Sequence, residues 1–294
     1  MRYTITHTTT YSYSDEVSVS HHVARLRPRQ LPGQRCLRYE QQIEPAPAVR
    51  SEHDDYFGNA AMFFAIHEPH EQLVVRVRSD VELSSVEMPP LTATPPWTSV
   101  RDDLGSDLGP EALAVYEFVF DSPLIKASAE FATYAAKSFP SKRTLLDGVV
   151  DLTGRIHQDF TFDAKATSVA TPLQEVFESR RGVCQDFAQF QIACLRSLGL
   201  PARYVSGYLE TRPPPGRARL AGSDASHAWV SVYSPGARWI DVDPTNNLAP
   251  ANRHITLAWG RDFSDVSPIR GVILGGGEHA LRVAVDVVAL GDLR

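Results

Sequence analysis

The 294-residue chain has three cysteines, three methionines and no apolar run as long as a membrane span or the core of a signal peptide. An odd, sparse set of thiols is poor material for a disulfide framework, which predicts a cytoplasmic protein that folds without one. Basic charge is scarce as well. The 29 Lys and Arg stand against 35 Asp and Glu, giving a net charge of -6 and a pI near 5.9. Nucleic acids and anionic membrane surfaces select clustered Lys and Arg, so neither is expected as a partner. The runs "RLRPRQ" and "RPPPGRAR" read as solvated loop charge. Internal repeats are missing too. What is present, 43% hydrophobic and 22% charged residues, suits a globular chain with a sizeable core, divided into one large or two ordinary domains.

The polar and apolar periods change along the chain. Over residues 1–88, segments such as "RYTITHTTTYSY", "VSVSHHVARLR" and "QLVVRVRSDVELSSV" are β-branched or aromatic, several with period-two alternation, and are broken by "LPG", "FGN" and "HEPHE". This pattern predicts an N-terminal antiparallel β-sandwich. Residues 89–110 are rich in proline and glycine and read as a connection without regular structure. From residue 111 to 294, helical periodicity in "SPLIKASAEFATYAAKSF" and "SKRTLLDGVVDLTGRIHQDF" gives way to period two in "ARYVSGYLE", "SHAWVSVYS", "RWIDVDP", "HITLAWG" and "HALRVAVDVVAL". Helices followed by strands make this second unit α+β. In "TPLQEVFESRRG" the residues Thr171, Pro172 and Gln174 suggest an N-cap, first position and capping box, with Gly182 at the helix exit.

One helix carries the chemistry. In "VCQDFAQFQIACLRSLGLP", Phe187, Phe190, Cys194 and Leu198 recur at helical spacing, and Gly199 with Pro201 closes the element. Cys184 then lies in the first turn. There the free backbone N–H groups and the positive end of the helix favour a thiolate and can donate to an oxyanion formed when the sulfur attacks a carbonyl. Cys194, about 15 Å away by axial rise, is too far for a disulfide and reads as a small core side chain.

A thiolate nucleophile needs a base, and the base an orienting group. Downstream, "DASHAWVSVYSPGARWIDVDPTNN" supplies both. His227 and Trp229 share one face of a strand, and a turn at "SPGA" returns the chain through Asp241 and Asp243, which share a face of the next. The order Cys, His, Asp, with the thiol on a helix and the other two on neighbouring strands, is the arrangement of papain-like nucleophilic catalysis.

These segments, with "HITLAWGRDFSDVSPIRG" after them and "DYFGN" in the strand-rich start, resemble the bacterial branch of the transglutaminase-like superfamily over nearly the whole chain. The resemblance implies a papain-like, transglutaminase-core domain of helices packed on an antiparallel sheet, behind the N-terminal β domain. It places the nucleophile at Cys184, the base at His227 and the orienting carboxylate at Asp243 rather than Asp241. Two positions depart from the branch, which often has a histidine where Gln189 stands and a tyrosine where Phe263 stands. The implied activity is acyl transfer on a carboxamide or peptide bond of a peptide or protein substrate, with water or an amine as acceptor. No cofactor and no metal are expected. A non-catalytic binding or scaffold protein that keeps the fold is the alternative.

Trp229, Asp241 and Arg217 are further candidates for substrate contact. Arg217 lies in "TRPPPGRARLAGSD", a loop that leaves the strand after Tyr208 and returns just before His227. His67 and His70 in "HEPHE" read as a polar turn, since no other ligands have zinc-like spacing. "GGGE" at residues 275–278 reads as a turn, because it lacks the strand and helix of a phosphate loop.

Overall fold

Period-two alternation builds the longest element, a strand of 23 residues that buries Tyr3, Ile5, His7 and Thr9 on one face. The structure, a computed structural model, describes residues 1–107, 109–210 and 226–290. Five strands come first: β1 (Arg2–Ala24), β2 (Gln34–Glu44), β3 (Val49–Asp54), β4 (Ala60–Ile66) and β5 (His70–Leu83). Four helices follow: α1 (Trp97–Ser106), α2 (Pro110–Tyr116), α3 (Ala129–Ala136) and α4 (Leu145–Asp159). A short parallel pair, β6 (Thr161–Phe162) and β7 (Arg181–Gly182), brackets α5 (Leu173–Ser179) and leads into α6 (Cys184–Ser197). Then come β8 (Ala202–Leu209), β9 (Ser226–Ser234), β10 (Arg238–Val242), β11 (His254–Gly260), the single turn α7 (Phe263–Val266), β12 (Ile269–Gly275) and β13 (His279–Leu290).

The architecture is the expected α+β. The first sheet has seven antiparallel strands and curls about β1, which serves two layers. Residues 2–12 of β1 run between β5 and β13, and residues 20–24 run between β4 and β12. Leu73, Val75 and Val77 of β5 meet Met62, Phe64 and Ile66 of β4 in one buried cluster, which closes the layers on each other. The second sheet has the order β10-β9-β8-β11, with α6 packed against β8 and β9. Phe187, Phe190 and Cys194 lie at helical spacing on α6 and are buried, and Gly199, at φ +76°, provides the left-handed exit.

Several local expectations give way. Residues 269–290, expected within a unit spanning 111–294, pair with β1 and complete the first sheet; the connecting glycines Gly275, Gly276 and Gly277 all have positive φ, as a turn requires. The segment 89–110 contains helix α1, because Trp97, Val100 and Leu104 bury one face behind Pro96. Helix α5 starts at Leu173, after Pro172, with no side-chain cap. Thr171 instead accepts from the Ser168 N–H, and Gln174 reaches Glu130 and Glu178. Its left-handed exit is Arg180, not Gly182: the Arg180 guanidinium lies 4.1 Å from the centre of the Phe177 ring and near Phe160 and Tyr134, contacts that hold a non-glycine residue at φ 55°.

The two sheets are joined through side chains that take the place of a missing strand. β11 is the edge of the second sheet, and two carboxamides from the first pair with its backbone. Gln34 donates to Thr256 O at 2.8 Å and accepts from Thr256 N at 2.8 Å, while Asn59 donates to Trp259 O at 2.9 Å and accepts from Trp259 N at 2.9 Å. His7 Nδ1 also meets the Tyr208 hydroxyl at 2.9 Å.

Within the second sheet, Gly207 of β8 lies in register with His227 of β9 and Thr256 of β11. A Cβ here would stand 2.1 Å from Ile255 O and 2.6 Å from Trp229 Cη2. Gly207→Ala should therefore destabilise the fold by about 2–4 kcal/mol. An unchanged urea midpoint and slope would show that the strands can part without cost.

Candidate active site

The local chain path brings Cys184 to the start of α6. Val183 is extended, with φ -112° and ψ 179°, and its N–H donates to Asp186 Oδ2 at 2.8 Å, the same oxygen that accepts from Thr167 Oγ1 at 2.6 Å. Asp186 is buried, and burial pushes its carboxyl above the ordinary value while the two donors hold it down. A Cβ on Gly182 would stand 2.6 Å from Asp186 Oδ2, so a glycine is needed for the carboxylate to close the turn. Cys184 emerges half-buried at the helix end, where the first N–H groups have no acceptor inside the helix.

His227, second residue of β9, is 9% exposed, and Asp243, just past the end of β10, is 0% exposed. His227 Nε2 donates to Asp243 Oδ2 at 2.7 Å. The ring also makes a side-chain hydrogen bond with Cys184, for which Nδ1 is the nitrogen left. Burial alone would lower the His227 pKa, but the bonds to Asp243 and Cys184 and their negative charge outweigh it and raise it to about 10. For Asp243 burial works upward, and donors from His227, His254 and Asn246 overcome it, holding the carboxyl far below the usual range. The structure thus brings Cys184, His227 and Asp243 together in that order.

Asp241 does not share this role. Its Oδ2 accepts from Trp229 Nε1 at 3.0 Å. Trp229 is 0% exposed, so the expectation that it contacts substrate is corrected: β9 turns its indole inward, where the ring packs against His254 at 5.1 Å between centroids. Asp241 is taken up by the same buried indole. Arg217 lies outside the described residues. Gln189 and Phe263 lie against each other, with Phe263 N donating to Gln189 Oε1 at 3.5 Å.

Sequence reasoning passed over His254, the first residue of β11. Its Nε2 donates to Asp243 Oδ2 at 3.0 Å. Its distance along the chain carries no signal, and only the pairing of β11 with β8 brings it to the site. His227, Asp243 and His254 are the one group of three metal-ligating side chains found in reach of one another among the described residues, within 4.8 Å. Their nitrogen and oxygen atoms sit at hydrogen-bond spacing, and both imidazoles spend Nε2 on the same oxygen, so the chemistry of the set is that of a hydrogen-bonded cluster.

Comparison with known proteins identifies the family. Residues 3–82 match the bacterial transglutaminase-like N-terminal region, and residues 132–244 match the transglutaminase-like superfamily. Over 98% of its length the chain is 42% identical to an uncharacterized protein of Mycobacterium tuberculosis, of which it covers 92%. A stretch of 97 residues, 32% of this chain and 14% of the other, is 35% identical to a protein-glutamine gamma-glutamyltransferase of Pseudomonas aeruginosa. The crystal structure of a candidate cysteine protease from Cytophaga hutchinsonii superposes with a TM-score of 0.75, over 99% of this chain and 91% of that one, at 22% identity; this is a likeness of fold.

The raised His227 pKa has a direct test. Its imidazole should stay protonated through neutral pH and lose its proton near pH 10, so any stability or activity that needs the imidazolium is present below pH 6.5 and is lost as pH rises through about 10. In Asp243→Asn the opposing effect of burial is less compensated, and the transition moves to lower pH. Imidazole resonances followed by NMR would read both, and a transition that stays in place in the variant would contradict the role assigned to Asp243.

Proposed function

The chain belongs to the transglutaminase-like superfamily, and from that premise we propose that it is a cysteine-dependent acyl-transfer enzyme acting on carboxamide or peptide bonds. The observation that carries this reading is the continuous hydrogen-bonded line from the half-buried Cys184 thiol through His227 to the fully buried Asp243.

With His227 holding the proton, the Cys184 sulfur attacks the carbonyl carbon as a thiolate. A C–S bond forms and the carbonyl electrons move to oxygen, where the unpartnered N–H groups at the start of α6 can donate. As the tetrahedral species collapses, the C–N bond breaks and the His227 imidazolium gives its proton to the leaving amine. The products of this half-reaction are a thioester on Cys184, a free amine and a neutral His227. His227 then takes a proton from the second nucleophile, which attacks the thioester and restores the thiolate. Water as that nucleophile gives hydrolysis, and an amine gives transamidation. Asp243 keeps the imidazole oriented and balances its charge in both halves.

The acyl donor in this reading is a peptide or protein, and the enzyme works without a cofactor. A cytoplasmic location is the setting proposed with it, in keeping with a set of three cysteines too sparse for a disulfide framework.

Incubation with a peptide and amine library, read by mass spectrometry for hydrolysed or amine-capped products, identifies the reaction. On any substrate so found, Cys184→Ala should lower turnover by on the order of 10³-fold or more, with an unchanged melting temperature. His227→Ala should be nearly as severe. Asp243→Asn should cost less, because an amide oxygen still accepts from the imidazole. Asp241→Asn should be close to neutral, since it keeps an acceptor for Trp229 Nε1. Full activity in Cys184→Ala would end the proposal.

A further inference from the structure

We propose that His254 is a positioning residue of this site, a second imidazole that holds Asp243 against His227. The inference rests on the acyl-transfer reading above. Its own support is geometric. His254 is 6% exposed, its Nε2 lies 3.0 Å from Asp243 Oδ2, and its ring centre is 5.7 Å from that of His227. The Trp229 indole packs edge-on against it with an interplanar angle of 84°, which fixes the plane of the imidazole.

The hydrogen-bond pattern specifies which ring nitrogen donates. A carboxylate oxygen only accepts, so Nε2 carries a hydrogen. Nδ1 is buried and has no hydrogen-bond partner. The ring therefore makes its hydrogen bond through Nε2 and none through Nδ1. His254 thus adds a donor to Asp243.

That donor closes a set. Asp243 Oδ2 also accepts from His227 Nε2 at 2.7 Å and from Asn246 Nδ2 at 2.7 Å, while Oδ1 accepts from Thr245 N at 2.9 Å and Asn246 N at 3.2 Å. The Oδ1 donors and Asn246 all come from the turn that follows Asp243 itself. His254 alone brings a donor to Asp243 from β11, the strand on the far side of β8 from His227. Without it the carboxylate is held by its own turn on one side and by His227 on the other, so movement of the turn carries the base with it. With it, Asp243 is tied to both flanks of the sheet, and the His227 ring keeps its direction toward Cys184.

The test compares reach at constant chemistry. In His254→Gln the side-chain Nε2 occupies the place of the imidazole Nε2 and still donates to Asp243, whereas in His254→Asn the amide is one methylene too short. Two probes are used: iodoacetamide alkylation of Cys184 at neutral pH, located by mass spectrometry, and hydrolysis of p-nitrophenyl acetate, an activated ester that acylates nucleophilic thiols. His254→Asn should slow alkylation and lower kcat by roughly ten- to hundredfold with KM within about twofold, and His254→Gln should restore most of both. Equal impairment of the two variants, or losses that follow their melting temperatures, would assign His254 to packing alone. Wild-type rates in His254→Asn, with Cys184 labelling fast in the wild type, would overturn the inference and leave the triad standing. Wild-type Cys184 labelling no faster than Cys36 would overturn the triad, and the role of His254 with it.

Discussion

Everything in the second sheet is arranged around one buried negative charge. A carboxylate with no solvent exposure costs several kcal/mol in lost hydration, and it stays ionised only when its lone pairs are filled by donors. Asp243 meets this with five hydrogen bonds, three at Oδ2 and two at Oδ1. The sharp turn after β10, with Asn247 in the left-handed region at φ 49°, exists to aim the Thr245 and Asn246 N–H groups back at that side chain. Each donor that satisfies the carboxylate is also fixed by it, so the charge organises the strands that carry His227 and His254.

The first sheet has a part in this. β11 is an edge strand, and an edge that must place a histidine within 3.0 Å of its target cannot be left to fray. Gln34 and Asn59 supply the hydrogen bonds that a neighbouring strand would have made, at two points along β11. Asn59 is itself held by Asp55, which accepts from its backbone N–H and its amide and is paired with Arg25 at 2.8 Å. The segment "DYFGN" is thus a bracket between the sheets. The return of β12 and β13 to β1 closes the chain over the same joint, since Tyr3 and Ile5 of β1 share one apolar cluster with Val285 and Val287 of β13 and with Phe187 and Phe190 of α6.

How much of this the residues disclose depends on the range of the interaction. Period two in β1 and β5, the helical spacing of Phe187, Phe190 and Cys194, and the Gly199 exit are local patterns, and all are present in the fold. So is the choice of Asp243 over Asp241 as the partner of His227, which came from resemblance to a family. Spacing left both carboxylates on one face of a strand. The misses are long-range. "HALRVAVDVVAL" alternates as a strand would in either sheet, and nothing in its period names β1 as its partner. Arg180 takes a backbone conformation that glycine would favour because three aromatic rings surround its guanidinium, and those rings come from residues 134, 160 and 177. His254 is the sharpest case: eleven residues from Asp243 along the chain, it is identifiable only once β11 is known to lie beside β8.

The two imidazoles on Asp243 Oδ2 are chemically alike but differently placed, and the difference decides what each ring connects. His227 faces Asp243 through one nitrogen and Cys184 through the other, so its protonated form has two anionic neighbours once the thiol ionises. His254 has Asp243 on one side and, at Nδ1, no partner. His227 thus links two groups and His254 one, although both rings touch the same oxygen. This asymmetry needs no difference in burial, since the two histidines are 9% and 6% exposed. It follows from the position of Cys184 at the start of α6, where the half-buried thiol meets the second nitrogen of the His227 ring.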